Sequence, residues 1–478
     1  MIQYDMDVLK NWWSTSSKKE KTVQIIVVLL VFTYSVYINN ASISIATGLA
    51  VACILYDCYQ KKSISGFRTV KENWLGIAIF LGTVLLASLL LGDKASIHKA
   101  FKYIYWTLPF LLAAYLGKLA DIRYAAAGGA LLSVALSSIN VAYLNYLLLQ
   151  GHKLVATRGP IVDGRLGAFL SYPTHYALLL ICTLPLLLCF YTDKKLRTNP
   201  LVITISSVVT LLGLWSLWKT GSRGAMIGLL AGGLLTFALF CYFRKQGMLF
   251  LKGLAVGIAV VVVILLVGIQ GRNRTYGDSA RIRMWRSSYA MWQDHKLLGV
   301  GLENWQKEYA GKYIRKKEIK KEARQQYLDE KTKKKQKIAA TKKAAVKKAR
   351  KKVIAKRERV RIAAWQKAAI KSESSFDMPH NVIAWFFSTT GLLGGIGYLL
   401  FVAYYGRLLY RKIKDNPGEW IFYVGLWSFL AVTVHGLVDA GVTNKEAARL
   451  LFLILGISLN YHYIEREKRL SESSDNVY

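Results

Sequence analysis

The sequence predicts an all-α polytopic membrane protein, with about twelve transmembrane helices and one large helical loop between spans 9 and 10. Three observations predict it. Of 478 residues, 53% are hydrophobic, yet the formal net charge is +37. The apolar residues fall in blocks of roughly 17–25, the length that crosses a bilayer. The charge is concentrated as well: residues 311–370 hold 24 Lys/Arg against 5 acids, a local +19, which leaves +18 for the other 418 residues.

The elements follow in order. Segment 1–22 is polar, carries "KKEK" ahead of the first apolar block and has no small-residue cleavage site, so it reads as a cytoplasmic tail before an uncleaved span. Spans 1–9 fall within 23–270, at about 23–38, 42–59, 74–92, 102–118, 124–149, 168–191, 201–218, 225–243 and 249–270. A loop covers 271–380, with a Lys/Arg-rich insertion at 311–370. Spans 10–12 fall within 381–463, at about 381–405, 419–439 and 447–463, and a cytoplasmic tail covers 464–478. The five cysteines lie in or beside apolar blocks without CxxC or Cys/His spacing, and they read as buried thiols.

Short basic loops set the orientation. With the N-terminus inside, "QKKSISGFRTVKEN", "TDKKLRTN", "FRKQ" and "GRLLYRKIKDN" are cytoplasmic, while "NNAS" and "DAGVTNKEA" face outward. "GHKLVATRGPIVDGRLG" breaks the trend. The long 271–380 loop is outside by parity. No Gly or Pro occurs between Lys312 and Met378, and the Ala, Lys, Glu, Gln and Arg content favours helix. A faint apolar stripe runs through Val346, Ala349, Val353 and Val360. Such a loop is either a solvated charged insertion or a surface for anionic lipid headgroups. Nucleic acid is excluded as a partner by the loop's side of the membrane and its few aromatics.

Membrane helices hide ionisable groups unless function needs them, so what matters is which of them sit near a membrane surface and on which side. Arg223, in "KTGSRGAMIGLL", opens span 8 with Gly221 and Gly224 on either side. Gly224, Gly228 and Gly232 recur at every fourth residue, which suits close helix packing. Arg165 precedes span 6, and His175 lies deeper in it as a satisfied core histidine. In "GDSARIRMWRSSYAMWQDHKLLGVGLENW", Arg281, Trp285, Tyr289 and Trp292 share a helical face, with Arg283 and Arg286 directed at headgroups. His380 opens span 10, and His435 and Asp439 end span 11. By parity Arg165, Arg223, Arg281, His380 and Asp439 gather at the outer face. Arginine offers phosphate a planar, permanently charged fork, and histidine takes a proton near neutral pH. Together they suit a lipid-linked phosphate and an alcohol to be deprotonated. No metal site is expected: the one DxD, Asp5 to Asp7, lies in the cytoplasmic tail. "GVG" is too little for a nucleotide loop.

With these motifs in this order, the chain resembles the O-antigen ligase and O-antigen polymerase superfamily. "SRGA" opens an outer span. The Arg-to-Trp spacing then leads to "GVGLENW", a large loop follows, and "PHNVIAWFFSTTGLLGGIGYLLF" precedes "HGLVD". The likeness covers roughly 160–460. Lys296 stands where the family often has proline, and the basic insertion is unusual in length and charge. The resemblance implies an inner-membrane glycosyltransferase, acting at the periplasmic face without cofactor or metal and with inversion. Its donor would be a glycan on undecaprenyl diphosphate. Its acceptor would be lipid A–core for a ligase, which the basic loop favours, or a second lipid-linked repeat for a polymerase. Carried over, Arg223, Arg281 and Arg165 would hold the diphosphate and His380 would be the base. Asp439, His175 and Arg286 would support them, Asp439 by orienting His380 or a sugar. Two other classes stand beside this reading. A flippase of lipid-linked sugars would place polar groups at the midplane. A non-catalytic protein would depend on its basic loop alone.

Overall fold

A computed structural model describes residues 18–36, 40–61, 73–119, 121–150, 161–162, 164–170, 172–193, 196–255, 257, 275–339, 350–439 and 441–475. They divide into two compact units, one of 1–83, 101–271 and 397–478, the other of 84–100 and 272–396.

The first helices are α1 (Lys18–Ser35), α2 (Asn40–Lys61), α3 (Leu75–Leu91), α4 (Lys94–Leu119) and α5 (Arg123–Leu149). A two-stranded antiparallel ribbon follows, β1 (Ile161–Val162) with β2 (Arg165–Leu166). Next come α6 (Pro173–Thr192), α7 (Pro200–Thr220) and α8 (Arg223–Phe243). The second half holds α9 (Thr275–Asp294), α10 (Trp305–Glu308), α11 (Lys316–Ala339), α12 (Arg350–Ser374), α13 (Val382–Asp415), α14 (Trp420–Gly436) and α15 (Lys445–Asp475).

Among the described residues, α5, α6, α7, α8 and α13 are long and apolar enough to cross a membrane, and Thr22–Ser35, Ile43–Tyr56, Leu75–Leu91 and Trp420–Gly436 are shorter apolar helices. This is the architecture of an all-α membrane protein. The expected span at 249–270 lies largely outside the described residues, as do Val346 and Ala349 of the basic insertion. The outward faces are apolar: Leu201 is 65% exposed, Leu211 67% and Ile227 58%. Water would penalise such a surface, whereas hydrocarbon does not.

In the first unit α6 is the central helix. It packs on α5, α7, α8, α14 and α15. A 3₁₀ turn at Leu184–Leu187, with Pro185 inside it, interrupts the helix. Hydroxyls stitch the helices where lipid offers no partner: Tyr176 donates to Ser137 at 3.0 Å, Ser216 to Ser138 at 3.0 Å, and Ser428 to the Cys182 carbonyl at 3.1 Å. The expected glycine stripe is present. A Cβ on Gly228 would come within 2.5 Å of the Ala431 carbonyl, and one on Gly232 within 3.0 Å of that of Trp427. Gly224 faces Val438 and His435, so α8 runs antiparallel to α14. Trp427 seals the contact by donating to the Leu229 carbonyl at 2.8 Å.

In the second unit the Lys-rich insertion is helical at α11 and α12, which pair. Tyr327 meets Trp365 edge-on, and Gln366 donates to the Lys320 carbonyl at 2.9 Å. Val360 is 65% exposed.

Two sequence expectations are corrected. The chain before α6 forms the short ribbon and a turn, with Ala168 at φ 49°, instead of helix. Helix begins at Pro173, whose fixed φ and missing N–H suit the first helical position. Cys53 and Cys58 are half-buried, unlike Cys182, Cys189 and Cys241.

Candidate functional site

Each unit gathers its own set of the expected residues. In the first, Arg165 on β2 donates through Nε to the Thr220 carbonyl at 2.6 Å, at the C-terminal end of α7. Ser222 then caps α8, its hydroxyl accepting from the Ala225 N–H at 3.4 Å. Arg223 follows as the first helical residue, and its side chain is exposed. The Ser222 hydroxyl lies 3.5 Å from His435 Nε2 in the last turn of α14. Asp439 lies just beyond that helix and is buried. Arg165, Arg223 and Asp439 therefore share one end of this unit, along with His435. His175 sits elsewhere than expected. With the helix starting at Pro173, it occupies the first turn, half-buried against the Tyr172 ring at 5.2 Å, not a deep core position.

The second unit holds Arg281, Arg286 and His380. His380 adopts φ 51°, a left-handed conformation that a residue with a Cβ enters at a cost of about 1–2 kcal/mol. Trp285 donates its indole N–H to the Pro379 carbonyl at 2.9 Å. Asn381 caps α13 by accepting from the Ala384 N–H at 2.9 Å. Phe376 stands edge-on to the imidazole, 5.7 Å between centroids. Between these fixed points the half-buried His380 side chain is aimed by its backbone. Arg281, one turn before Trp285 on the same face of α9, lies 3.7 Å from Asp278 and is about one-third exposed. Arg286 is exposed.

Arg283 differs from its expected role. It is buried and does not face headgroups. Its Nε and Nη2 reach the two oxygens of Glu373 at 3.0 and 2.7 Å, its Nη1 pairs with Glu322, and Tyr309 donates to Glu373 at 2.8 Å. Burial opposes its charge, but the bonds it donates to both carboxylates, and their negative charge, outweigh that and raise its pKa further. This cluster ties α9 to α11 and α12.

The "GVG" stretch also has a structural role. α13 breaks at Gly391, φ 62° and ψ −154°. The broken turn is satisfied by the 296–301 segment: Val300 N–H donates to the Ser388 carbonyl and Gly301 N–H to that of Thr389, both at 2.9 Å, while Leu392 N–H donates to the Lys296 carbonyl at 2.8 Å. Any Cβ on Gly299 would strike the Thr389 backbone, and one on Gly391 the Leu297 backbone. Buried Trp305 closes the segment, stacked on Tyr309 at 4.8 Å and donating to Ser288 at 3.0 Å.

A model of the O-antigen ligase family matches residues 208–330. That region carries the family's pattern. It is about a quarter of the chain and contains Arg223, Arg281, Arg283, Arg286 and the 299–301 glycines; Arg165, His380 and Asp439 lie outside it. The match agrees with the superfamily resemblance seen in the sequence. No curated protein matches the chain.

Glu373, Tyr309 and Gly391 were missed in the sequence. Glu373 sits in "KSESSF", where a buried acid after a lysine run reads as one more surface charge.

Proposed function

We propose that the chain is a membrane glycosyltransferase that moves an O-antigen-type glycan from undecaprenyl diphosphate to lipid A–core at the periplasmic face of the inner membrane. The observation that carries this reading is the backbone of His380. A strained conformation persists only where its surroundings hold it, and such residues concentrate at reactive sites. Here Trp285, Asn381 and Phe376 hold it.

In this reading His380 takes the proton of the acceptor hydroxyl. The acceptor oxygen attacks the anomeric carbon from the face opposite the phosphate, so the configuration inverts. The bond from that carbon to the diphosphate oxygen breaks, and the diphosphate leaves with the electron pair. Arg281 supplies cationic stabilisation to that leaving group without a metal. Arg223 and Arg165 are assigned anionic parts of the substrates, and Asp439 a sugar hydroxyl. Residues 311–370 give phosphate-rich lipid A–core a cationic surface, which favours ligase over polymerase.

The test is glycan transfer by purified wild type, His380→Ala and Arg281→Ala from defined lipid-linked donor to core, with and without EDTA. Losses of about 10³-fold or more for a folded His380→Ala are expected, with EDTA inert. Near-normal transfer by His380→Ala would remove the histidine from the mechanism. Lengthening of the donor with no core present would identify a polymerase.

A further inference from the structure

The segment that fills the break in α13 lies deeper than a loop between two spans. α13 is long and apolar enough to cross a membrane. Its uncharged run, 382–406, has 25 residues, about 37 Å at 1.5 Å per residue. The hydrocarbon core of a bilayer takes about twenty of them. Wherever the core falls within that run, about 387–401 stay inside it, so Gly391 lies at least about 6 Å below the edge nearer His380. The 296–301 segment is level with it. Leu392 N–H donates to the Lys296 carbonyl at 2.8 Å and Leu393 N–H to that of Leu297 at 3.5 Å.

A second observation sets the membrane edge independently. α3 is apolar through Leu91, and Asp93 opens the polar turn after it. Asn304 donates to Asp93 at 3.1 Å, and a Cβ on Gly301 would meet Leu91 at 3.1 Å and Ser96 at 2.7 Å. Residues 301–304 therefore stand at the polar end of α3, while Leu297 stands at the level of Leu393. Irregular backbone at that depth needs its polar groups paired. Here the Ser388 and Thr389 carbonyls take the N–H groups of Val300 and Gly301, and the His295 carbonyl takes that of Gly299 at 2.9 Å. The side chain at the tip is uncovered. Leu297 is 67% exposed, and Ile396, one turn beyond Leu392 on α13, is 47% exposed. His295 and Lys296 are exposed beside it.

We propose that 295–301 is a re-entrant turn that enters the membrane leaflet on the His380 side, and that its partner there is phospholipid. Acyl chains cover Leu297 and continue along Ile396. Lys296 extends its apolar stem toward the surface and sets its ammonium among the headgroup phosphates, as long cationic side chains do near a membrane edge. The tip thus matches the chain of a phospholipid and the flanking cation matches its head. The depth of the turn is independent of the residues assigned to transfer.

Quenching of a bimane label on the full chain, in vesicles of phosphatidylglycerol and phosphatidylcholine, tests this. The label is carried by Leu297→Cys. Ile396→Cys is the lipid-facing reference, Lys307→Cys, at an exposed position on α10, is the aqueous one, and labelled wild type gives the signal of the native cysteines. Phosphatidylcholine brominated on its chains should quench Leu297→Cys about as fully as Ile396→Cys and leave Lys307→Cys bright. Iodide in the water should do the reverse. Iodide quenching of Leu297→Cys equal to that of Lys307→Cys would place the turn in water. Protection of Leu297→Cys from both quenchers would mean that protein, such as a second copy of the chain, covers it. Either result would overturn the proposal.

Discussion

The indole nitrogen of Trp285 donates to the carbonyl oxygen of Pro379 at 2.9 Å, immediately before the left-handed backbone of His380. Phenylalanine at 285 keeps the ring and removes the bond. Trp285→Phe should lower kcat about ten- to a hundredfold, the scale set by small misplacements of a reacting group, with little change in donor KM. Steady-state kinetics separate the two. A rise in KM at constant kcat would mean that Trp285 contacts substrate and does not position the histidine.

The strain at His380 can be separated from its chemistry. Glycine accepts φ 51° freely, whereas alanine bears the same penalty as histidine. His380→Gly should therefore be more stable than His380→Ala by about 1 kcal/mol, and both should lose transfer. Comparative unfolding in detergent checks the first statement and the transfer assay the second. Equal stabilities would remove the case for a stored strain.

The break in α13 depends on glycine at two facing positions. Gly391 needs positive φ, and its missing Cβ admits the Leu297 backbone, as that of Gly299 admits the Thr389 backbone. Gly391→Ala should cost at least about 2 kcal/mol, because strain and backbone overlap add. Gly247 is the control: a Cβ there would meet no atom within 4 Å, and Gly247→Ala should be near neutral. Thermal unfolding of both reads the contrast.

Arg283 and Glu373 form a buried pair. Arg283→Ala leaves a fully buried carboxylate beside Tyr309 and should destabilise by about 3–5 kcal/mol. Arg283→Met combined with Glu373→Leu should recover much of that loss, since an apolar pair removes the orphaned charge. A double mutant no better than the single would show that Tyr309 and Glu322 depend on the charges as well.

Much of this was legible in the sequence, and for identifiable reasons. Membrane helices read from length and hydropathy because lipid imposes both on every span. The Gly224, Gly228 and Gly232 stripe read because its period equals that of a helix face, and its partner proved to be α14. The clustering of Arg165, Arg223 and Asp439 followed from helix ends. Pairings between distant charges left no local trace: Arg283 looked like Arg286, yet one is buried on Glu373 and the other exposed. Likewise "GVG" reads as a loop until Gly391 breaks a helix beside it.

Asp294, at the end of α9, accepts from Lys312 at 2.8 Å and from Tyr313 at 2.7 Å. The lysine bond, then the tyrosine bond, hold its carboxyl below the ordinary value of about 4. A depressed folded pKa means the folded state binds the proton less tightly than the unfolded one. The stabilisation is therefore complete above the unfolded value and lost as pH falls through the folded value. Wild type should melt above Asp294→Asn at pH 6–7, and the two curves should converge as pH falls through the folded value. The gap should also shrink with salt, because the pair is exposed. A gap that persists unchanged into acid would assign Asp294 a role that does not depend on its charge.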